Sequence, residues 1–200
     1  AAALVTFAAG LTYRELRLED APGPALVKAG ATHDLIVIGR DSTLGREMND
    51  GVAPVIETLL RDGARPLLVV TPEAVIRAEG PILAAYDGSA PSREAFHLFA
   101  LLRLAGDSPV RVAAVARSRA AALATAEEGC AVLRQHGITA EPLPCVGSDV
   151  AGLILAEIEA IGARALVMGA FGGSSLVRML IGSTTDRLLH DARIPVFIHR

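Results

Sequence analysis

Six short apolar runs recur along this 200-residue chain, and stretches of helical character separate them. The runs are Leu35–Gly39, Pro66–Thr71, Ile82–Tyr86, Val110–Ala116, Arg164–Met168 and Pro195–His199. The helical stretches include Pro91–Ala105, Arg119–His136, Val150–Ile161 and Thr184–Ala192. Runs this short and this apolar suit strands buried on both faces, which parallel sheets require. Strands alternating with helices mean βαβ units joined by right-handed crossovers. An α/β fold with an open, mostly parallel sheet follows, and such sheets bind ligands beyond the carboxyl ends of their strands.

Parts of the chain also align with each other. His33–Arg40 matches Ala163–Ala170, and Glu57–Pro66 matches Asp186–Pro195. Each match is a strand ending at or beside a glycine, then a helix, then a proline opening a last strand. An internal repeat explains this economically. The expected division is an incomplete, degenerate first copy over residues 1–71, a linker over 72–80 and a complete second copy over 81–200. The second copy is expected to hold five strands and four helices. The first would enter late, with Ala1–Ala9 as the end of a helix and Leu11–Leu16 as its third strand. The natural protein is accordingly expected to be longer.

Chemistry concentrates after the run Arg164–Met168. Gly169, Gly172 and Gly182, with Ser183 next, give the pattern G-x2-G-x9-G-S, and Thr184 opens a helix. Strand, glycine-rich loop and helix in that order make a phosphate cradle. Glycines let the backbone approach an anion, and the helix start offers N–H groups without partners. The competing reading is a connection that merely needs positive φ angles. Asp87, closing the Ile82 run, can accept hydrogen bonds from a ribose or base; its competing role is to cap the helix from Pro91. Arg178 could reach a terminal phosphate, although a solvated surface role is commoner for such an arginine. In the first copy Asp41 would set a negative charge where phosphates would lie, and Pro54 removes an N–H from the helix start. No nucleotide is expected there.

Composition narrows the function. A net charge of −3 and 4% aromatic residues argue against a nucleic-acid surface. Lys28 is the only lysine, so no Walker A lysine accompanies the glycine loop. Cys130 and Cys145 read as ordinary buried thiols of a reducing cytoplasm, and the longest apolar stretch falls short of a membrane span. No Ser–His, Cys–His or metal-ligand set is apparent. His97 and His136 fall in or at the end of helices with no partners, and His190 suits the negative end of its helix.

Taken together, Ala85–Ser92, Met168–Gly172 with Gly182–Ser183, and the closing Ile194–Ile198 resemble the universal stress protein family. The resemblance covers Pro81–Arg200 and, more weakly, the first eighty residues, as in a tandem member. It implies a Rossmann-like, five-stranded parallel sheet of order 3-2-1-4-5 in each copy, of the adenine nucleotide alpha hydrolase-like kind. It also implies ATP, or ADP or AMP, with Mg²⁺ brought by the nucleotide. Ala85 and Asp87 would line the adenosine pocket, Val115 would meet adenine, and Met168 and Gly169 would lie under the ribose. Gly172, Gly182, Ser183 and Thr184 would hold phosphates, with Phe171 departing from the usual polar or basic residue.

The same resemblance implies that Pro66–Thr71 pairs antiparallel with Pro195–His199 within the chain, and it suggests a further homodimer. A cytoplasmic stress-response regulatory module is the expected function. Two alternatives stay open: a nucleotide-free interaction scaffold, or a slow ATPase that phosphorylates itself at Ser174 or Ser175.

Overall fold

The computed structural model describes residues 21–41, 54–170 and 182–200. Expectations that fall on Ala1–Ala9, Leu11–Leu16, Phe171, Gly172, Ser174, Ser175 and Arg178 lie outside these residues. The described elements, in chain order, are α1 (Pro22–Gly30), β1 (Ile36–Gly39), α2 (Pro54–Asp62), β2 (Leu67–Val70) and β3 (Ile82–Ala85). They continue with α3 (Ala90–Leu101), β4 (Val110–Ala116), α4 (Arg119–Gln135), β5 (Ala140–Val146) and α5 (Val150–Ala160). Last come β6 (Ala165–Gly169), α6 (Ser183–Asp191) and β7 (Val196–His199).

The described strands form one seven-stranded sheet in the order β1-β2-β7-β6-β3-β4-β5. Every neighbouring pair is parallel except β2 with β7, where Leu67 faces Ile198 and Val69 faces Val196. The sheet therefore does not stop at the five strands β7-β6-β3-β4-β5. Left bare, β7 would expose a row of unpaired N–H and C=O groups on an apolar edge, and β2 satisfies them.

Side chains alternate across this sheet and fill two cores. On one face Leu67, Leu83, Leu166, Val196 and Ile198 pack with Ile56 and Leu59 of α2, Ile154 and Ile158 of α5, and Leu188 and Leu189 of α6. On the other, Ile82, Ala84, Val112, Val167 and Phe197 meet Phe96 and Phe99 of α3 and Cys130 and Leu133 of α4. Helices on both faces explain why the strands read as continuous apolar runs rather than as alternating ones.

The strand that no apolar run announces is β5. Its Pro142 and Pro144 hide it, because proline cannot donate to a ladder. Alternate residues of a strand direct their N–H groups to the same side. Two prolines two positions apart can therefore both face away from the only described neighbour, β4, at the end of the sheet. They also blunt that edge against further pairing. Gly129 of α4 permits a close crossing over β4, since a Cβ there would come within 2.8 Å of Val112 and 2.9 Å of Tyr86.

Candidate functional site

Met168, Ala85 and Ala113 stand in one register row across the adjacent strands β6, β3 and β4. They floor a cavity of about 230 Å³ at the carboxyl ends of those strands. Val115, near the end of β4, extends the floor, while Tyr86, Asp87 and Ser92 close the β3–α3 side. Val150 and Ile154 of α5 form one wall, and Thr184, Thr185 and Leu188 of α6, with Gly169, form another. The lining is mostly apolar; Ser92 and Thr185 add buried hydroxyls, and Asp87, exposed at the edge, adds the one carboxylate. Among the described lining residues there is no lysine or arginine, so an anion here would rely on N–H groups, hydroxyls and helix dipoles.

Local sequence explains how each wall is held. Ser89, not Asp87, caps α3: its Oγ accepts the Ser92 N–H at 3.3 Å. Asp87 Oδ1 accepts the Ser89 N–H at 3.0 Å, which closes a turn around Gly88 at φ 80°. That fixes the carboxylate at the cavity edge and leaves its second oxygen to offer. Asp149 caps α5, accepting the Gly152 N–H at 3.0 Å. Helix α6 begins after Gly182 with no side-chain cap, and the first N–H bonded back along this helix is that of Asp186, to Gly182 O at 2.9 Å. The N–H groups of Ser183, Thr184 and Thr185 precede that first bond, where a helix start has donors to spare.

Six expected site residues meet at this cavity: Ala85, Asp87, Val115, Met168, Gly169 and Thr184. Gly182 and Ser183 are exposed at the head of α6 and do not line it. Phe171 and Gly172 lie outside the described residues. The competing reading of these glycines needs correction. Neither Gly169 nor Gly182 needs a positive φ; Gly182 sits at φ −63°. A Cβ at Gly169 would lie 2.4 Å from the Ser92 nitrogen, so its bareness lets α3 start against the end of β6. The next N–H, that of Ala170, is taken by His199 O at 2.6 Å.

Sequence reasoning missed Tyr86, Ser92, Ala113, Val150, Ile154, Thr185 and Leu188 of the lining. The i, i+4 pair Val150 and Ile154 was the available signal, but in an apolar helix it reads as ordinary core. The histidine reading is also corrected. His97 Nδ1 and His136 Nε2 lie 2.8 Å apart, joining α3 to the end of α4. Asp41 is paired with Arg40 at 2.9 Å rather than standing alone.

Ionisable groups around the site behave consistently with this geometry. The Gly152 N–H and then Arg187 hold Asp149 below the usual carboxylate range. Burial pushes His199 down. Burial also pushes Cys130 up to about 11 and raises Cys145, which makes both free thiols poor nucleophiles. No described group of three or more His, Cys, Asp or Glu side chains could hold a metal ion. Among the described residues no helix is long and apolar enough to cross a membrane.

Residues 119–200 match the model of the universal stress protein family. The chain is 30% identical over 170 residues to universal stress protein Slr1230 of Synechocystis, covering 84% of this chain and 58% of that protein. It is 44% identical over 50 residues to universal stress protein Rv2319c of Mycobacterium tuberculosis, covering 25% of this chain and 17% of that one. The chain thus spans less than two thirds of the length of these curated relatives. Among solved structures, a universal stress protein from Archaeoglobus fulgidus superposes with a TM-score of 0.65 at 24% identity, covering 88% of this chain and 63% of that one. A universal stress protein in complex with cAMP superposes with a TM-score of 0.52 at 22% identity, covering 62% of this chain and 98% of that one. At these identities the superpositions speak for the fold. The family model and the curated relatives support the universal stress protein family for this chain, and the solved structures share its fold.

Proposed function

We propose that this chain binds an adenine nucleotide in the cavity between the strand ends and helices α5 and α6, and works as a stress-response regulatory module. The observation that carries the reading is the convergence of Ala85, Asp87, Val115, Met168, Gly169 and Thr184 on one cavity. Ligand pockets generally run from about 300 to 1,000 Å³, so roughly 230 Å³ accepts a base and part of a ribose rather than a whole nucleotide. The base lies on Ala113 and Val115 between Val150 and Ile154. Asp87 takes a ribose hydroxyl on its second carboxylate oxygen. The anionic tail leaves through the mouth toward Gly182, Ser183 and Thr184; the expected contacts of Phe171 and Gly172 fall outside the described residues.

The solved universal stress protein in complex with cAMP supports an adenine nucleotide as the ligand class. ATP is the proposed ligand, with ADP and AMP as competitors, and Mg²⁺ would be held by its phosphates rather than by a protein cluster. The first part of the chain is read as a related copy without a nucleotide. Its β1-α2-β2 succession parallels β6-α6-β7, and its β2 occupies the edge of β7. A homodimer and a cytoplasmic location belong to the same reading.

Mass spectrometry of small molecules released from the purified protein, followed by calorimetric titration with ATP, ADP, AMP and cAMP, tests it. Retention or micromolar binding of any of them is the expected result. No retained adenylate and no heat with all four would leave the scaffold alternative standing.

A further inference from the structure

We propose that Asp149 and Arg187 form a latch across the cavity mouth that sets how fast a nucleotide enters and leaves; this rests on the nucleotide-binding reading. Asp149 directly precedes Val150 on the α5 wall, and Arg187 follows Thr184 of the α6 wall by three positions. The Arg187 Nη1 donates to Asp149 Oδ1 at 2.8 Å. That same oxygen accepts the Gly152 N–H, so one carboxylate oxygen both starts α5 and ties it to α6. Neither Asp149 nor Arg187 lines the cavity, but their contact joins the α5 and α6 walls that carry Val150 and Thr184, so a ligand that spreads those walls strains it.

The pair is built to open. Its side chains are 48% and 61% exposed, so water and salt reach it. Arg187 also has a second acceptor on its own helix, Asp191 Oδ2 at 3.5 Å, so release from Asp149 strands no charge. Asp191 in turn is held by His190 Nδ1 at 2.8 Å, which keeps that acceptor in place. One arginine thus makes both contacts at once, Nη1 spanning the helices and Nε reaching along α6, and the second persists when the first breaks.

Asparagine caps helices as well as aspartate does, so Asp149→Asn removes the ion pair while α5 keeps its start. Arg187→Met removes the pair from the other side, and Arg187→Lys keeps the charge without the fork. Stopped-flow mixing with a fluorescent methylanthraniloyl ATP reads the rates. Asp149→Asn and Arg187→Met are expected to speed association and dissociation together, by up to about fivefold, as exposed pairs allow. Arg187→Lys should fall between them and wild type. Raising salt from about 0.05 M to about 1 M should bring wild type toward the variants, whose own salt response reports only screening of the charged ligand. Unchanged rates in both variants, or the same salt response in variants and wild type, would overturn the latch.

Amide hydrogen exchange on the nucleotide-free protein separates the latch from the reading beneath it. Asp149→Asn should quicken exchange at the starts of both α5 and α6. If wild type ignores the fluorescent ATP while exchange still quickens, the nucleotide reading fails and the latch stands as a helix tie. If exchange stays the same in both variants, the latch itself is refuted.

Discussion

Replacing Gly169 by alanine is the sharpest test of how the site is assembled. The added Cβ would sit 2.4 Å from the Ser92 nitrogen, 2.6 Å from the Pro91 carbonyl carbon and 2.7 Å from Ser92 Cα. All three are backbone atoms in the first turn of α3, so no side chain can swing aside. Ordinary contact needs about 3.4 Å, which asks α3 or the end of β6 to retreat by about 1 Å. Retreat of α3 would disturb Phe96, fully buried 5.3 Å from the Tyr86 ring, and Phe99, 5.4 Å from Phe197.

Overpacking of this kind costs about 3 kcal/mol, and the lower entropy of an unfolded alanine returns about 0.7 kcal/mol. A net loss of about 2 kcal/mol corresponds to a fall of about 4–8 °C in the melting midpoint of a 200-residue chain. Gly182→Ala is the control: its φ is already −63° and, among the described residues, an added Cβ meets nothing within 4 Å. Its midpoint should hold or rise slightly. Thermal unfolding followed by circular dichroism compares the two variants. If Gly169→Ala melts within about 1 °C of Gly182→Ala, the argument that β6 and α3 meet backbone to backbone is wrong.

Other outcomes follow from the same geometry. Gly182→Val should lower the melting midpoint slightly, by its poorer capping of α6, yet weaken ATP binding at least tenfold in calorimetry, since the added side chain stands beside the proposed path of the phosphates. Asp87→Ala should weaken ATP by about tenfold, the loss of one hydrogen bond to a charged acceptor, while a 2′,3′-dideoxy nucleotide should not distinguish it from wild type. Burial lowers the His199 pKa in the folded chain, so the unfolded chain takes up its proton first. Stability is therefore full above about 6.5 and declines as pH falls toward the depressed folded value. His199→Gln should flatten that part of a stability-against-pH curve measured by urea denaturation. The Asp149 carboxyl runs the same way at lower pH: its contribution is present above the usual carboxylate range and is lost as pH falls through its lowered value.

Residue pattern alone determined a good deal of this protein. The apolar runs located β1, β2, β3, β4, β6 and β7 to within a residue or two, because strands buried on both faces have no polar side to interrupt them. The glycine, serine and threonine spacing pointed to the end of the sheet where the cavity lies, because a strand followed by a loop and a helix start is a local arrangement. It did not reveal β5, whose prolines are tolerated only because one side of that strand lacks a described neighbour. Nor could spacing say why Gly169 must be bare: the atoms it makes room for, in Pro91 and Ser92, are 77 or more positions away along the chain. The same holds for His97 with His136 and for Arg187 with Asp149. Short-range pattern records what each segment does with its own backbone. Which segments then lie side by side is set by packing two cores against one sheet, and only the folded chain decides it.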